Sequence, residues 1–138
     1  METRNRWKWT LFVVSLLGII ILGCGTGYSF TYPARFGDAG QVIVRNDNIE
    51  GNSAVQVQID EDFAWDKVVL DITMAVESGN LQAVFTDDNG QTLSLSATAG
   101  QPASGHVEME TDARGNIKLQ LSGEGARSVT ITIEFDRK

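Results

Sequence analysis

Beyond Cys24 the chain contains no cysteine. No disulfide framework can hold it, and no thiol is left for catalysis. Whatever follows that residue must stay folded through its own core. Histidine is nearly as scarce, since His106 stands alone. No Ser/His/Asp or Cys/His triad is legible around it. No glycine loop of the phosphate-cradling kind precedes a helix. Basic residues are few: residues 24–138 carry 8 basic and 17 acidic side chains, a net charge of −9. Such a balance argues against nucleic acid as a partner and against lying flat on anionic lipid. Taken together, these absences predict a protein that is not an enzyme.

What is present begins with the amino-terminal segment. Arg4, Arg6 and Lys8 precede an uncharged run from Leu11 to Leu22. Small residues then take over at Gly23, Gly25 and Gly27. Basic head, short apolar middle and small-residue exit describe an export signal. The alternative is an uncleaved anchor helix, although a spanning helix wants about 20 apolar residues. Ile21-Leu22-Gly23-Cys24 resembles the bacterial lipobox. That resemblance implies a bacterial lipoprotein, with a diacylglyceryl group on the Cys24 thiol and cleavage between Gly23 and Cys24. Each buried lipid CH₂ is worth about 0.8 kcal/mol, so two or three chains hold a protein at a membrane. The expected organisation is a signal peptide over 1–23, a partly aromatic tether over 24–40 and a β-sandwich domain over 41–138. The expected location is the cell membrane, lipid-anchored and facing the extracytoplasmic side.

In the tether, Tyr28, Phe30 and Tyr32 alternate with Ser29 and Thr31 before Pro33. A flexible linker is Gly/Ser-rich and free of aromatics. Two readings remain here: a short edge strand ended by Pro33, or a membrane-proximal contact. From Gln41 onward the hydrophobic period is 2. Val68, Leu70, Ile72, Met74 and Val76 form one face of the longest run, with Asp71, Thr73 and Glu77 opposite. Similar alternation recurs at Val42/Val44, Val55/Val57/Ile59, Leu81/Ala83/Phe85, Leu93/Leu95/Ala97 and Val107/Met109. It closes with Ile117/Leu119/Leu121 and Val129/Ile131/Ile133/Phe135. Ser78-Gly79-Asn80, Asp88-Asn89-Gly90 and Arg114-Gly115-Asn116 read as turns. The pattern predicts an all-β fold, an antiparallel jelly-roll-like β-sandwich of about eight strands, preceded by the signal or anchor helix. No internal repeat is legible.

The run Ser78-Gly79-Asn80-Leu81, then Phe85 to Leu93, Gly115 to Leu121 and Val129 to Ile133 resembles bacterial pre-peptidase C-terminal domains and similar jelly-roll-like accessory modules. It covers roughly residues 67–135. The chain departs from that pattern at Asn80, where aspartate is frequent, and at Ile117, where tyrosine is usual. The resemblance implies an accessory or binding module without an active site.

Three clusters remain as candidate chemistry. His106, Glu108 and Glu110 share one face of a strand. Asp87-Asp88-Asn89-Gly90 reads as a turn. The segment Asp60-Glu61-Asp62-Phe63-Ala64-Trp65-Asp66 surrounds two aromatics with four carboxylates. One reading has Phe63 and Trp65 plugging the end of the core. The other has Asp60, Asp62 and Asp66 as Ca²⁺ ligands, or Phe63 and Trp65 as sugar contacts. No cofactor is otherwise expected. The function that emerges is a lipid-anchored binding module of the bacterial envelope, its partner an envelope protein or a glycan. The alternatives are a structural subunit of an envelope complex and a calcium- or glycan-binding domain using the 60–66 loop.

Overall fold

The computed structural model describes residues 27–138, which form an antiparallel β structure. The expected signal or anchor helix and Cys24 lie outside the described residues. Among those described, no helix is long and apolar enough to cross a membrane. The elements are β1 (Tyr28–Phe36), β2 (Ala39–Gln58), a single 3₁₀ turn (Glu61–Phe63), β3 (Lys67–Ala75), β4 (Ser78–Thr86), β5 (Thr92–Thr98), β6 (Ala103–Glu110) and β7 (Asn116–Arg137).

Two strands are far longer than the rest. β2 runs 20 residues and β7 runs 22. They pair with each other along nearly their whole length, with a register shift between Ile49 and Gly51. On one side of that shift the ribbon joins β1 and β3, and β3 joins β6. On the other side it joins β4, which joins β5. The ribbon therefore contributes to both layers of a sandwich. One layer has five strands in the order β1-β2-β7-β3-β6, and the other is β2-β7-β4-β5.

The sequence pattern predicts about eight strands, and the described residues form seven, for a physical reason. The buried positions of β2 are even-numbered before the corner (Val42, Val44, Asn46) and odd-numbered at its far end (Val57). A break in alternation reads as a strand boundary. Here it is a corner in a continuous strand. In β7 the alternation also breaks, stepping by three from Gly123 to Ala126 to Val129 before it resumes on odd positions. The gain at the start is β1. The segment expected as a tether pairs with β2 from Tyr28↔Asn46 to Phe36↔Ala39, skipping register around Pro33. Proline sits there on an edge strand, where a missing N–H costs no ladder bond.

Between the layers lies one continuous core. Phe63, Phe85, Leu70, Met74, Leu119 and Ile131 are among its fully buried members. The corner is built from glycines. A Cβ on Gly123 would stand 2.5 Å from the Ile49 carbonyl oxygen. A Cβ on Gly79 would stand 2.2 Å from the Gly125 carbonyl oxygen, and Gly79 also has φ of +77°. Glu50 secures the turn by accepting the Gly125 N–H at 2.7 Å.

The corner fixes two opposite ends. Tyr28, the corner itself and the start of β4 lie at one, which we call the corner end. Gln58, Lys67, Glu110, Asn116 and Arg137 lie at the other, the loop end. A nine-residue strand such as β3 spans about 27 Å between them.

Gly79→Ala should destabilise the domain by about 3 kcal/mol or more, because backbone overlap adds to left-handed strain. Gly90→Ala, where φ is +82° but nothing lies within 4 Å, should cost only about 1 kcal/mol. Urea unfolding of the two variants tests this, and equal losses would refute the steric role of Gly79.

Candidate functional site

The loop end is shaped by the chain between β2 and β3. The Ile59 N–H donates to the Gly115 carbonyl at 2.9 Å. The Asp60 carboxylate then accepts the Asp62 N–H at 2.8 Å, capping the 3₁₀ turn. Phe63 turns inward and is 1% exposed. Its ring meets Phe135 edge to face, centroids 6.1 Å apart and planes at 86°. The Arg137 guanidinium carbon lies 4.8 Å from the Phe63 centroid. Phe63 is thus the plug that the aromatic pattern allows.

Trp65 is not. It is 64% exposed, with its backbone at φ of +52°. A bulky side chain in the left-handed region costs energy of order 1–3 kcal/mol and needs surrounding structure to impose it. That structure is the β6–β7 connection. The Trp65 N–H donates to the Asp112 carbonyl at 2.9 Å. Thr111, fully buried, donates its hydroxyl to the Phe63 carbonyl and accepts the Asp66 N–H at 3.0 Å. Its own N–H donates to the Asp66 carbonyl at 2.9 Å. Two strand ends therefore grip the loop on both sides of Trp65 and hold the indole out into solvent.

The three aspartates are not brought together. Asp66 is taken by Arg137, whose Nε donates to Asp66 Oδ2 at 2.8 Å and whose Nη2 reaches the same oxygen. Arg137 Nη1 also lies 3.6 Å from Asp38. The hydrogen bond to Asp66, with the nearby Asp66 and Asp38 charges, raises the guanidinium above its ordinary value. Among the described residues, no three His, Cys, Asp or Glu side chains group so as to hold a metal ion. The calcium expectation for Asp60, Asp62 and Asp66 gains no geometry from this arrangement.

The His106, Glu108, Glu110 row is likewise dispersed among other partners. His106 Nδ1 lies 2.5 Å from Asp71 Oδ1 across the β3–β6 pair. Glu108 accepts from Lys138 Nζ at 2.6 Å, a bond that holds its pKa below the ordinary carboxylate value. Glu110 accepts from Asn89 Nδ2 at 2.9 Å.

Two segments that read as turns in the sequence share a pattern that the reading misses. Thr86-Asp87-Asp88-Asn89-Gly90 and Thr111-Asp112-Ala113-Arg114-Gly115 share the spacing Thr-Asp-x-x-Gly. In each, one aspartate oxygen accepts the backbone N–H two and four residues on: Asn89 and Gln91 at 3.0 and 2.8 Å, Arg114 and Asn116 at 2.8 and 2.9 Å. Asp87 is buried and its second oxygen accepts the Glu110 N–H at 3.0 Å. These carboxylates hold turns, and on Asp87 both oxygens are engaged. The recurrence of Thr-Asp-x-x-Gly 25 residues apart was the available signal.

On the side of the sandwich, β1 lays its aromatics over the edge of the opposite layer. The Tyr28 hydroxyl bonds to Ser53 Oγ, and the Tyr32 hydroxyl donates to the Gln58 carbonyl at 2.8 Å. Burial, and then the Asp60 charge, push the Tyr32 phenol above its ordinary value near 10. The resulting stability is fully present below the ordinary value and is lost as pH rises from there through the raised one.

The two outer faces differ. A groove of about 530 Å³ on the five-stranded layer includes Gln41, Val69, Asp71, Glu134 and Asp136. A groove of about 520 Å³ on the four-stranded layer includes Asn52, Gln82, Val84, Gln120 and Ser122. The first is acidic and the second is uncharged.

No protein-family model matches the chain, and no curated protein matches it. Among solved structures it is similar to an oxalate oxidase in complex with the substrate analogue glycolate, at 11% identity and TM-score 0.43. That match covers 80% of this chain and 51% of the oxidase, so the chain spans about half its length. It is similar to a carbohydrate-binding module from Cellvibrio mixtus lichenase 5A in complex with cellotriose, at 15% identity and TM-score 0.36, covering 81% of this chain and 88% of that one. It is also similar to a xylan-binding domain from Paenibacillus barcinonensis, at 10% identity and TM-score 0.38, covering 80% of each. Similarity at this level carries no argument about ligand or activity.

Thr111→Val keeps the shape of the side chain and removes its hydroxyl. It should lower stability by about 1–3 kcal/mol, because the buried Phe63 carbonyl and the Asp66 N–H each lose the Thr111 hydroxyl and keep only their mutual 3.3 Å bond. Chemical unfolding measures the loss, and a change under about 0.5 kcal/mol would show that Thr111 does not hold the loop.

Proposed function

We propose that this chain is a lipid-anchored extracytoplasmic binding module, held at the membrane through Cys24 and presenting its loop end to a glycan. The observation that carries the reading is Trp65, an indole held in solvent at a strained φ of +52° by hydrogen bonds from another part of the chain. A flat aromatic face carried on a backbone fixed before binding suits stacking on the apolar face of a sugar ring, with no loop to order at the moment of association. Exposed Trp65 also separates two roles that adjoin in sequence: Phe63 seals the core and Trp65 meets the ligand.

The placement of the anchor supports the same reading. Cys24 precedes Tyr28 by four residues, at most about 14 Å of chain. Tyr28 lies at the corner end, about 27 Å from the loop end. A lipid on Cys24 holds the corner end near the bilayer and leaves Trp65 facing away from it. The charge pattern agrees, because a payload of net −9 gains nothing by spreading on anionic lipid.

Metabolic labelling with a fatty-acid analogue should mark the wild-type chain and not Cys24→Ala; label that persists in the variant would sink the anchor. For the loop end, changing Trp7 and Trp9 to Phe in the full chain leaves Trp65 as the only tryptophan. Its emission should move to shorter wavelength, with saturation, on titration with neutral oligosaccharides. An emission spectrum unmoved by every oligosaccharide tried, neutral or acidic, would remove Trp65 from the binding surface.

A further inference from the structure

The outer face of the four-stranded layer is unlike the rest of this molecule. The register aligns Asn52, Ser122, Gln82 and Ser96 in one row across its four strands. The next row is Ala54, Gln120, Val84 and Ser94, and the third is Gln56, Lys118, Thr86 and Thr92. These twelve positions hold four amides, five hydroxyls, one cation and no carboxylate. Charged residues make up 21% of the chain, and acids outnumber bases 18 to 11. On the five-stranded layer the matching rows carry Glu134, Asp71 and His106, then Asp136 and Glu108. Over these rows one face carries a single charge, Lys118, with Glu124 in the next row toward the corner, while the other is rich in acids.

We infer that these three carboxylate-free rows, with their groove over Asn52, Gln82 and Gln120, bind a neutral glycan chain. Each alternative partner lacks something on this surface. A cation finds no carboxylate there. Nucleic acid or anionic lipid finds one lysine. A second copy of the chain, or another protein, finds only Ala54 and Val84 as apolar contacts, too few for an interface core. What the face does offer is a dense field of groups that both donate and accept hydrogen bonds. A neutral polyhydroxylated chain presents the same mixture in return. Among the described residues, the side-chain amides of Asn52, Gln82 and Gln120 take no hydrogen bond within the chain, whereas Gln56 is bonded by Asn116 at 3.2 Å. With strands about 4.8 Å apart and residues two apart about 6.7 Å, the three rows cover roughly 14 by 13 Å, enough for a few sugar rings.

This deepens the glycan-binding reading but uses a different surface from Trp65, so the two can fail separately. Full-length chain in neutral detergent is run through native gels containing galactomannan, xyloglucan or dextran, with polygalacturonate as the charged comparison. At least one neutral polysaccharide should retard it. Gln82→Ala with Gln120→Ala should weaken that retardation about tenfold, at an unchanged melting temperature because both side chains are exposed. Gln41→Ala, on the opposite layer, should leave it as it was. If the double variant is weakened while Trp65→Ala is not, the face stands and the loop-end reading falls. If Trp65→Ala abolishes retardation and the double variant does not change it, the face is overturned and the loop end stands. Retardation by none of the neutral polysaccharides, or stronger retardation by polygalacturonate, overturns the inference.

Discussion

Everything in this domain hangs on the pairing of β2 with β7. The two strands hydrogen-bond to each other from Ala39↔Asp136 to Gln58↔Asn116 and turn the corner between layers together. Each flanking strand attaches directly or through one neighbour to that ribbon. With no disulfide available after Cys24, backbone continuity across the corner takes the place of a covalent tie between the layers. It demands that the ribbon bend sharply without losing its ladder, which is why a Cβ on Gly79 would strike the Gly125 backbone and one on Gly123 the Ile49 backbone. A glycine at such a point is a steric requirement before it is a conformational one.

The loop end follows from the same arrangement. The ribbon returns to its starting level at Gln58 and Asn116, so the 59–66 segment and the 111–115 turn emerge side by side. Thr111 and Asp112 then hold the neighbouring loop through backbone carbonyls and amides. An aspartate in each Thr-Asp-x-x-Gly turn keeps its own loop tight. The exposed indole of Trp65 rests on these locks, so strain at one residue is balanced by hydrogen bonds made by others.

Much of the architecture was legible in the sequence because burial on one side of a sheet imposes a period of 2. The runs at Val68 to Val76 and Leu81 to Phe85 are strands with the expected inner faces. Corner strands were not legible, since a break in alternation at Ile49 or after Gly123 has the same signature as a strand end. In the 60–66 segment the acidic and aromatic residues were visible, but their division of labour was not. Phe63 goes in and Trp65 out because Trp65 adopts a positive φ, and nothing in its side chain announces that. The pairing of Asp66 with Arg137, 71 residues away, is likewise a product of topology. So are the three carboxylate-free rows. Gln82, Gln120 and Asn52 are distant in sequence, and only the register of β2, β7 and β4 brings them together.

The two ends of the domain bear on how it would carry load. β1 begins at the corner end and lies antiparallel to β2 through to Phe36↔Ala39, near the loop end. A pull between the start of β1 and the loop end therefore acts along the strands. The hydrogen bonds joining β1 to β2 share such a force at once, in shear, instead of opening one after another as in a zipper. Tyr28 and Tyr32 add side-chain ties to the other layer along the same line. An edge strand with only one neighbour, ordinarily the first element to peel away, is thus placed where tension meets its greatest mechanical resistance.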